Sequence, residues 1–234
     1  MKNLRTVVAC AGTLLVASVA FAALSKNDVK RLNESATVLS EIRNAADDAI
    51  PQKTWSNARC VVVIPSLKKA AFIVGGEFGS GVMSCRHASG WTAPVFMEMT
   101  KGSAGFQIGA QSVDLVLLVM NQSGVDKLLR NKVTLGADAS IAAGPVGRSA
   151  SAATDAQMTA EMLSYSRAKG VFAGIDLSGG SLRPDDSSNE RAYGTNVSVR
   201  EIALGTTTAP VPAEAHAFMT ALGGREVRGT TGVK

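Results

Sequence analysis

Ala58-Arg59-Cys60-Val61-Val62-Val63-Ile64-Pro65 and then Lys69-Ala70-Ala71-Phe72-Ile73-Val74-Gly75-Gly76-Glu77-Phe78-Gly79-Ser80-Gly81-Val82 decide the fold class. The run 60–64 is short, apolar and β-branched, and Pro65 stops it, which is the pattern of a buried strand. Residues 71–75 and 82–85 read as strands on either side of a Gly-rich turn. The string Gly76-Glu77-Phe78-Gly79-Ser80-Gly81 leads into a strand and not a helix, so it is no dinucleotide fingerprint; tight turning and close backbone packing explain it better.

Outward from that stretch the strand pattern continues. Residues 94–99 and 104–110 are strand candidates, and Leu115-Val116-Leu117-Leu118-Val119-Met120 is a continuous apolar run fit for a buried strand. Ser123 caps a short helix over 124–130, and 134–143 alternates small and apolar residues. Residues 154–162 have helical propensity, and 163–165, 171–177 and the stretch near Leu182 return to strand. Residues 185–189 read as a polar loop and 213–222 as a terminal helix. A weak echo, Lys69-x-x-Phe72 with Gly79-x-x-Val82 against Lys169-x-x-Phe172 with Gly179-x-x-Leu182, suggests two equivalent hairpins; coincidence is the competing reading.

Ahead of the strands, Ser25 caps a helix with Asp28 three residues on. Val29, Leu32, Ala36, Leu39, Ile42 and Ala46 fall at steps of three and four, with Lys26, Lys30 and Arg31 off that stripe. Two readings stand: a helix packed on the domain, or one lying on a membrane. The fold expected is α+β, a mainly antiparallel, curved sheet, barrel-like or sandwich-like, flanked by an N-terminal amphipathic helix and a C-terminal helix.

Residues 1–22 read as a secretory signal: Lys2 and Arg5, an apolar segment, then the cleavage site Ala20-Phe21-Ala22. The competitor takes Val7-Val8-Ala9-Cys10 as a lipoprotein box, which leaves too little sequence before Cys10 for a full signal. The expected division is a signal over 1–22, a domain over 23–204 and a linker, helix and tail over 205–234. The expected place is the periplasm or the exterior. Removing Lys2 and Arg5 lowers the formal net charge of +5 to about +3. Mild basicity does not imply nucleic acid and suits anionic headgroups. In an oxidising compartment Cys60 and Cys85 either pair or stay as two buried thiols.

The chain holds 23 glycines but only two histidines, so it is equipped for architecture and not for acid–base or metal chemistry. Neither His87 nor His216 has a partner at metal-ligand spacing, and no nucleophile elbow or phosphate loop is present. No cofactor or metal is implied. Carboxylates in the strand patterns read as structural pairs. Basic residues near turns and on the first helix are the remaining candidates: Lys68, Lys69, Arg148, Arg167 and Lys169, with Lys26, Lys30 and Arg31. Those that converge on one rim would form a headgroup or phosphate site.

Further ordered motifs are Trp91-x-x-Pro94, Gly105-x-Gln107-x-Gly109-x-Gln111-x-x-Asp114, Leu135-Gly136-Ala137-Asp138, Gly144-Pro145-x-Gly147-Arg148 and Tyr165-Ser166-Arg167-x-Lys169-Gly170-x-Phe172-x-Gly174. With the opening stretch they strongly resemble the SYLF domain, over about residues 32–204. The resemblance implies a non-enzymatic lipid-binding module. Eukaryotic members bind phosphoinositides, fungal ones also bind actin, and bacterial ones are typically exported single domains. The expectation is therefore an envelope protein recognising anionic phospholipid or a membrane surface, without actin binding. The alternatives are a structural or protein-partner role with incidental lipid contact, and a hydrolase with an unrecognised site.

Overall fold

The computed structural model describes residues 23–44, 50–71, 74–88, 90–104, 111–146, 157, 159–168 and 171–223. The fold is α+β: a mostly antiparallel sheet curled into a half-barrel, with helices from both ends of the chain. Its strands are β1 (Cys60–Ala71), β2 (Val74–His87), β3 (Gly90–Trp91), β4 (Val95–Ala104), β5 (Gln111–Val119), β6 (Val133–Thr134), β7 (Ile141–Ala143), β8 (Met162–Ala168), β9 (Val171–Gly174) and β10 (Gly180–Pro184). They lie in the order β6-β10-β4-β2-β1-β5-β8-β7, with β3 on β2 and β9 on β8. Among these pairings only β7 with β8 is parallel.

The curl has a local cause. Pro65 and Ser66 on β1 face the single Asp114 on β5, a bulge that shifts the register on both sides of β1. A bulge bends its strand and tightens the twist. Ser66 takes a positive φ of 53°, and its N–H, turned out of the ladder, donates to Asp114 Oδ1 at 2.9 Å. On the other side β1 presses on Gly79 and Gly81. A Cβ at Gly79 would lie 2.5 Å from Ile64 Cγ2, and one at Gly81 2.0 Å from the Val63 carbonyl oxygen. The glycine string is thus no turn, as its composition suggested, but the middle of a continuous strand, β2. Close backbone packing, the other half of that expectation, is what its glycines provide.

Helix α1 (Lys26–Asn44) starts at a reciprocal cap. The Asp28 N–H donates to Ser25 Oγ at 3.2 Å, and the Ser25 N–H donates back to Asp28 Oδ2 at 3.2 Å. Its predicted stripe is buried: Leu32, Ala36, Leu39 and Ile42 pack in the core, against β1, β2 and the C-terminal helix. The reading of α1 as a helix lying on a membrane through this stripe is therefore corrected, since those side chains already face protein. The short α2 (Gln52–Asn57) carries Trp55 to the start of β1.

Helix α3 (Gln122–Leu128) is capped by Asn121 and not by Ser123: Asn121 Oδ1 accepts from the Gly124 N–H at 2.9 Å. The expected polar loop 185–189 is instead the start of α4 (Asp186–Tyr193), with Asp185 as its cap. Inside α4 the Asn189 amide pairs with both backbone groups of Phe96, accepting at 2.8 Å and donating at 3.0 Å. One side chain thereby continues the ladder of β4 where β10 ends. Helix α5 (Val199–Leu204) carries a full capping box from Ser198 and Glu201. The turn Ala213–Ala215 runs into α6 (His216–Ala221), where Phe218 and Met219 are buried with Leu222 just beyond, so the terminal helix shares the single core.

The echo between residues 69–82 and 169–182 does not mark equivalent hairpins. β2 pairs with β1, but β10 pairs with β4 and β6 and not with β9. Cys60 and Cys85 are direct cross-strand partners, their Cα atoms 3.9 Å apart, and their sulfurs are bonded.

Candidate functional site

The register of the central strands lays Ser112, Lys68, Phe78 and Thr100 in one row across β5, β1, β2 and β4. Lys68 is exposed, and Phe78 is 54% exposed, the one large apolar side chain left in solvent among the described residues. Opposite this row runs the N-terminal half of α1, and between them opens a groove of about 810 Å³. Lys30 and Arg31 line its helical wall, Lys68 and Phe78 its strand wall.

These cations are not equivalent. Arg31 is held: its Nη1 donates to Asp185 Oδ2 at 3.0 Å, and its guanidinium carbon lies 5.4 Å from the centre of the Phe96 ring. Asp28, almost fully buried, accepts from Ser188 Oγ at 2.8 Å and from Arg191 Nε at 3.1 Å. Burial pushes the Asp28 carboxyl up, but hydrogen bonds from Ser25, Ser188 and Arg191 outweigh it and hold the group below the usual carboxylate range. Asp185 shows the same balance, with Ser188 and Arg31 among its donors. This network ties α1 to α4 and fixes the helical wall. Lys30 is solvated, with Glu34 at 3.7 Å one turn on. Such an exposed pair contributes less than about 1 kcal/mol and leaves the ammonium available.

The structure gathers Lys30, Arg31 and Lys68 and separates the rest. Lys26 is exposed at the start of α1, outside the groove lining. Arg167 is committed elsewhere: it donates to Asp114 Oδ2 from Nε at 2.9 Å and from Nη2 at 2.6 Å, and also pairs with Glu41 of α1. Lys69 is placed one row beyond Lys68, beside Glu77 and Gln111. Arg148, Lys169 and Cys10 lie outside the described residues.

Sequence reasoning missed Phe78. An aromatic inside a glycine string does not announce its face, because its glycine neighbours carry no side chains to mark which face is apolar. It also missed Glu161, beside α3, which accepts from Lys127 Nζ at 2.7 Å and from the Ser140 N–H at 2.8 Å. Burial acts to raise its pKa, but these donors together with Ser123 bring it down to about 2. No group of three His, Cys, Asp or Glu among the described residues is disposed to hold a metal ion. No described helix is long and apolar enough to cross a membrane.

A family model described as Ysc84, "Las17-binding protein actin regulator", matches residues 100–225. The chain belongs to the Ysc84 (SYLF) family. It is 34% identical over 195 residues to an SH3 domain-containing protein of Schizosaccharomyces pombe, covering 81% of this chain and 45% of that one. LAS seventeen-binding protein 3 of Saccharomyces cerevisiae is 34% identical over 169 residues, 70% of this chain and 37% of its own length. The human SH3 domain-containing YSC84-like protein 1 is 30% identical over 192 residues, 81% of this chain and 55% of its own. The Ysc84-family chain thus spans about half, or less, of these relatives. The family is one of binding and adaptor domains. The expectation of no actin binding is overturned: the family description and the yeast relative's name point to partners of the actin-regulator class.

Proposed function

We propose that this Ysc84-family domain binds anionic phospholipid headgroups in the groove between α1 and the β1, β2 and β4 strands, in the cell envelope to which residues 1–22 direct it. The observation that carries this reading is the pairing of exposed Lys68 with exposed Phe78 across β1 and β2, facing Lys30 of α1. A lysine near an anionic surface contributes about 1 kcal/mol, and an aromatic beside it adds apolar contact at the interface. Arg31, braced by Asp185, supplies a positioned guanidinium at the groove wall.

Cosedimentation of the full chain with vesicles of graded phosphatidylglycerol content tests this. Binding rises with anionic fraction and falls as salt screens the surface. The double variant Lys30→Glu, Lys68→Glu loses at least about tenfold in affinity. Undiminished binding by that variant discards the groove. Residues 1–22 are tested by the N-terminal sequence of the protein recovered from fractionated cells; an intact residue 1 in the soluble interior overturns export. A protein partner of the actin-regulator class, as the relatives' names give for them, is the second reading. Cosedimentation with filamentous actin, without vesicle binding at low salt, selects it.

A further inference from the structure

Left-handed backbone falls to glycine almost everywhere in this chain. Among the described residues positive φ occurs at Gly90, Gly136, Gly179, Gly194, Gly205 and Gly223, and at one residue with a side chain, Ser66. A Cβ disfavours that region, and serine lacks the tolerance that asparagine and aspartate have for it. The bulge on β1 explains the backbone angle but not the serine. Glycine is the ordinary residue at a left-handed bulge position, and the sequence uses it freely: Gly75, Gly76, Gly79 and Gly81 all stand on the neighbouring strand. A hydroxyl kept where glycine would be at ease requires a use.

That use lies outside the packing of the sheet. Among the described residues the Ser66 N–H has a partner, Asp114 Oδ1 at 2.9 Å, and its hydroxyl has none. The side chain is exposed and lines the groove between α1 and the strands. From behind, its conformation is clamped. Asp114 Oδ2 accepts from Arg167 Nε at 2.9 Å and from Nη2 at 2.6 Å, and Arg167 also pairs with Glu41 of α1. Groups from α1, β5 and β8 together hold the strained residue, which is the condition under which strain persists. A fixed hydroxyl therefore lines the same groove as Lys30, Arg31 and Lys68.

Charge and direction are divided between these groups. Lys30 and Lys68 are point charges on flexible stems, which attract a phosphate without orienting it. A hydroxyl on a one-carbon side chain, carried by clamped backbone, donates along a narrow range of directions. We infer that Ser66 orients the bound headgroup: its Oγ–H donates to a phosphate oxygen that the cations attract, and the strain at the bulge is kept for that contact. This rests on the lipid reading above and adds to it a neutral residue that sets the phosphate's position. It makes a demand that attraction by charge does not, that affinity falls when no charge is removed.

Cosedimentation of the full chain with mixed phosphatidylcholine–phosphatidylglycerol vesicles over a salt series, beside urea unfolding, tests it. Ser66→Gly removes hydroxyl and strain together. Its urea midpoint equals or exceeds that of the unsubstituted chain, while its affinity falls about tenfold. Ser66→Ala removes the hydroxyl, keeps the Cβ and loses affinity to the same extent. In both variants the slope of log affinity against log salt is unchanged, because every cation remains. Full affinity in either variant, a lower midpoint for Ser66→Gly, or a loss of affinity that comes with a flatter salt slope overturns the role of Ser66. If the Lys30→Glu, Lys68→Glu variant still fails to bind in that case, the groove reading stands without it. Absence of vesicle binding by the unsubstituted chain overturns both.

Discussion

The two ends of the sheet are built on opposite principles. At the end where β1 starts, the Cys60–Cys85 bond joins β1 to β2, and Trp55 and Trp91 pack with ring centres 6.2 Å apart. Arg86 lies 4.3 Å from the Trp91 ring centre and donates to the Ala58 and Trp55 carbonyls at 3.0 Å each, closing the end of α2. Glu161 is clamped by Lys127 and Ser140 at the same end. At the other end the described rows pair small residues: Ala71, Gly75 and Ser103 in one, Ala70, Gly76 and Gly102 in the next. Cross-linking, stacking and ionic clamping hold one end; in the described rows of the other, strand pairing alone joins β1, β2 and β4.

The strongest way to break this comparison uses two glycines on neighbouring strands. Gly81→Ala places a Cβ 2.0 Å from the Val63 oxygen, and a loss above about 4 kcal/mol, or failure to fold, is expected. Gly102→Ala, with open space around it, stays within about 0.5 kcal/mol. Equal urea midpoints for the two would show that the curl does not depend on the close approach of β1.

Opening the disulfide comes next. The bond closes a separation of 25 residues, worth about 3.5 kcal/mol on the chain-entropy account. The Cys60→Ala, Cys85→Ala variant should therefore show a lower denaturation midpoint, with vesicle binding kept at temperatures below melting.

A smaller effect concerns acid. The Glu161 carboxyl is held at about 2, below its ordinary 4.5. A depressed acid stabilises the fold fully above its unfolded value and loses that contribution as pH falls from 4.5 towards 2. Lys127→Met should cost about 1–3 kcal/mol at neutral pH and flatten stability in that window. A variant with the unchanged pH dependence would move the acid sensitivity to Asp28 and Asp185.

Phe78→Ser is the mildest change for stability, within about 0.5 kcal/mol for so exposed a side chain. It should still lower vesicle affinity severalfold. A drop in melting temperature with no loss of binding would reassign Phe78 to the fold.

Regular periodicity made much of this legible. The stripe Leu32, Ala36, Leu39, Ile42 and the run 115–119 declared an amphipathic helix and a buried strand because one face, or both, must be apolar throughout, though the stripe alone fits a protein or a membrane cover equally. What escaped was set by non-local partners. The glycines 76–81 resemble a turn until the bulge at Pro65–Ser66 is known to press on them. Residues 185–189 resemble a loop until Asn189 is seen to serve the Phe96 backbone across 93 positions. At the groove, Lys30, Arg31 and Lys68 were legible as basic residues near element ends, but their convergence depends on α1 crossing β1 and β2. Arg167, identical in type, is spent on Asp114 and Glu41, and no sequence rule separates the two fates.

The pairing of β4 with a strand that follows it so much later has a consequence for the chain as it is made. Met99 meets Leu182, and Phe96 waits for Asn189. At ordinary synthesis rates about eighty residues take some 4–16 s to emerge. For that interval β4 has β2 on one side and nothing on the other, while carrying Phe96, Met97 and Met99, which end up wholly buried. Two chains emerging side by side into the compartment where they fold would bring two such open edges face to face. Yield should then follow the rate and crowding at which chains emerge more closely than the melting temperature of the finished domain.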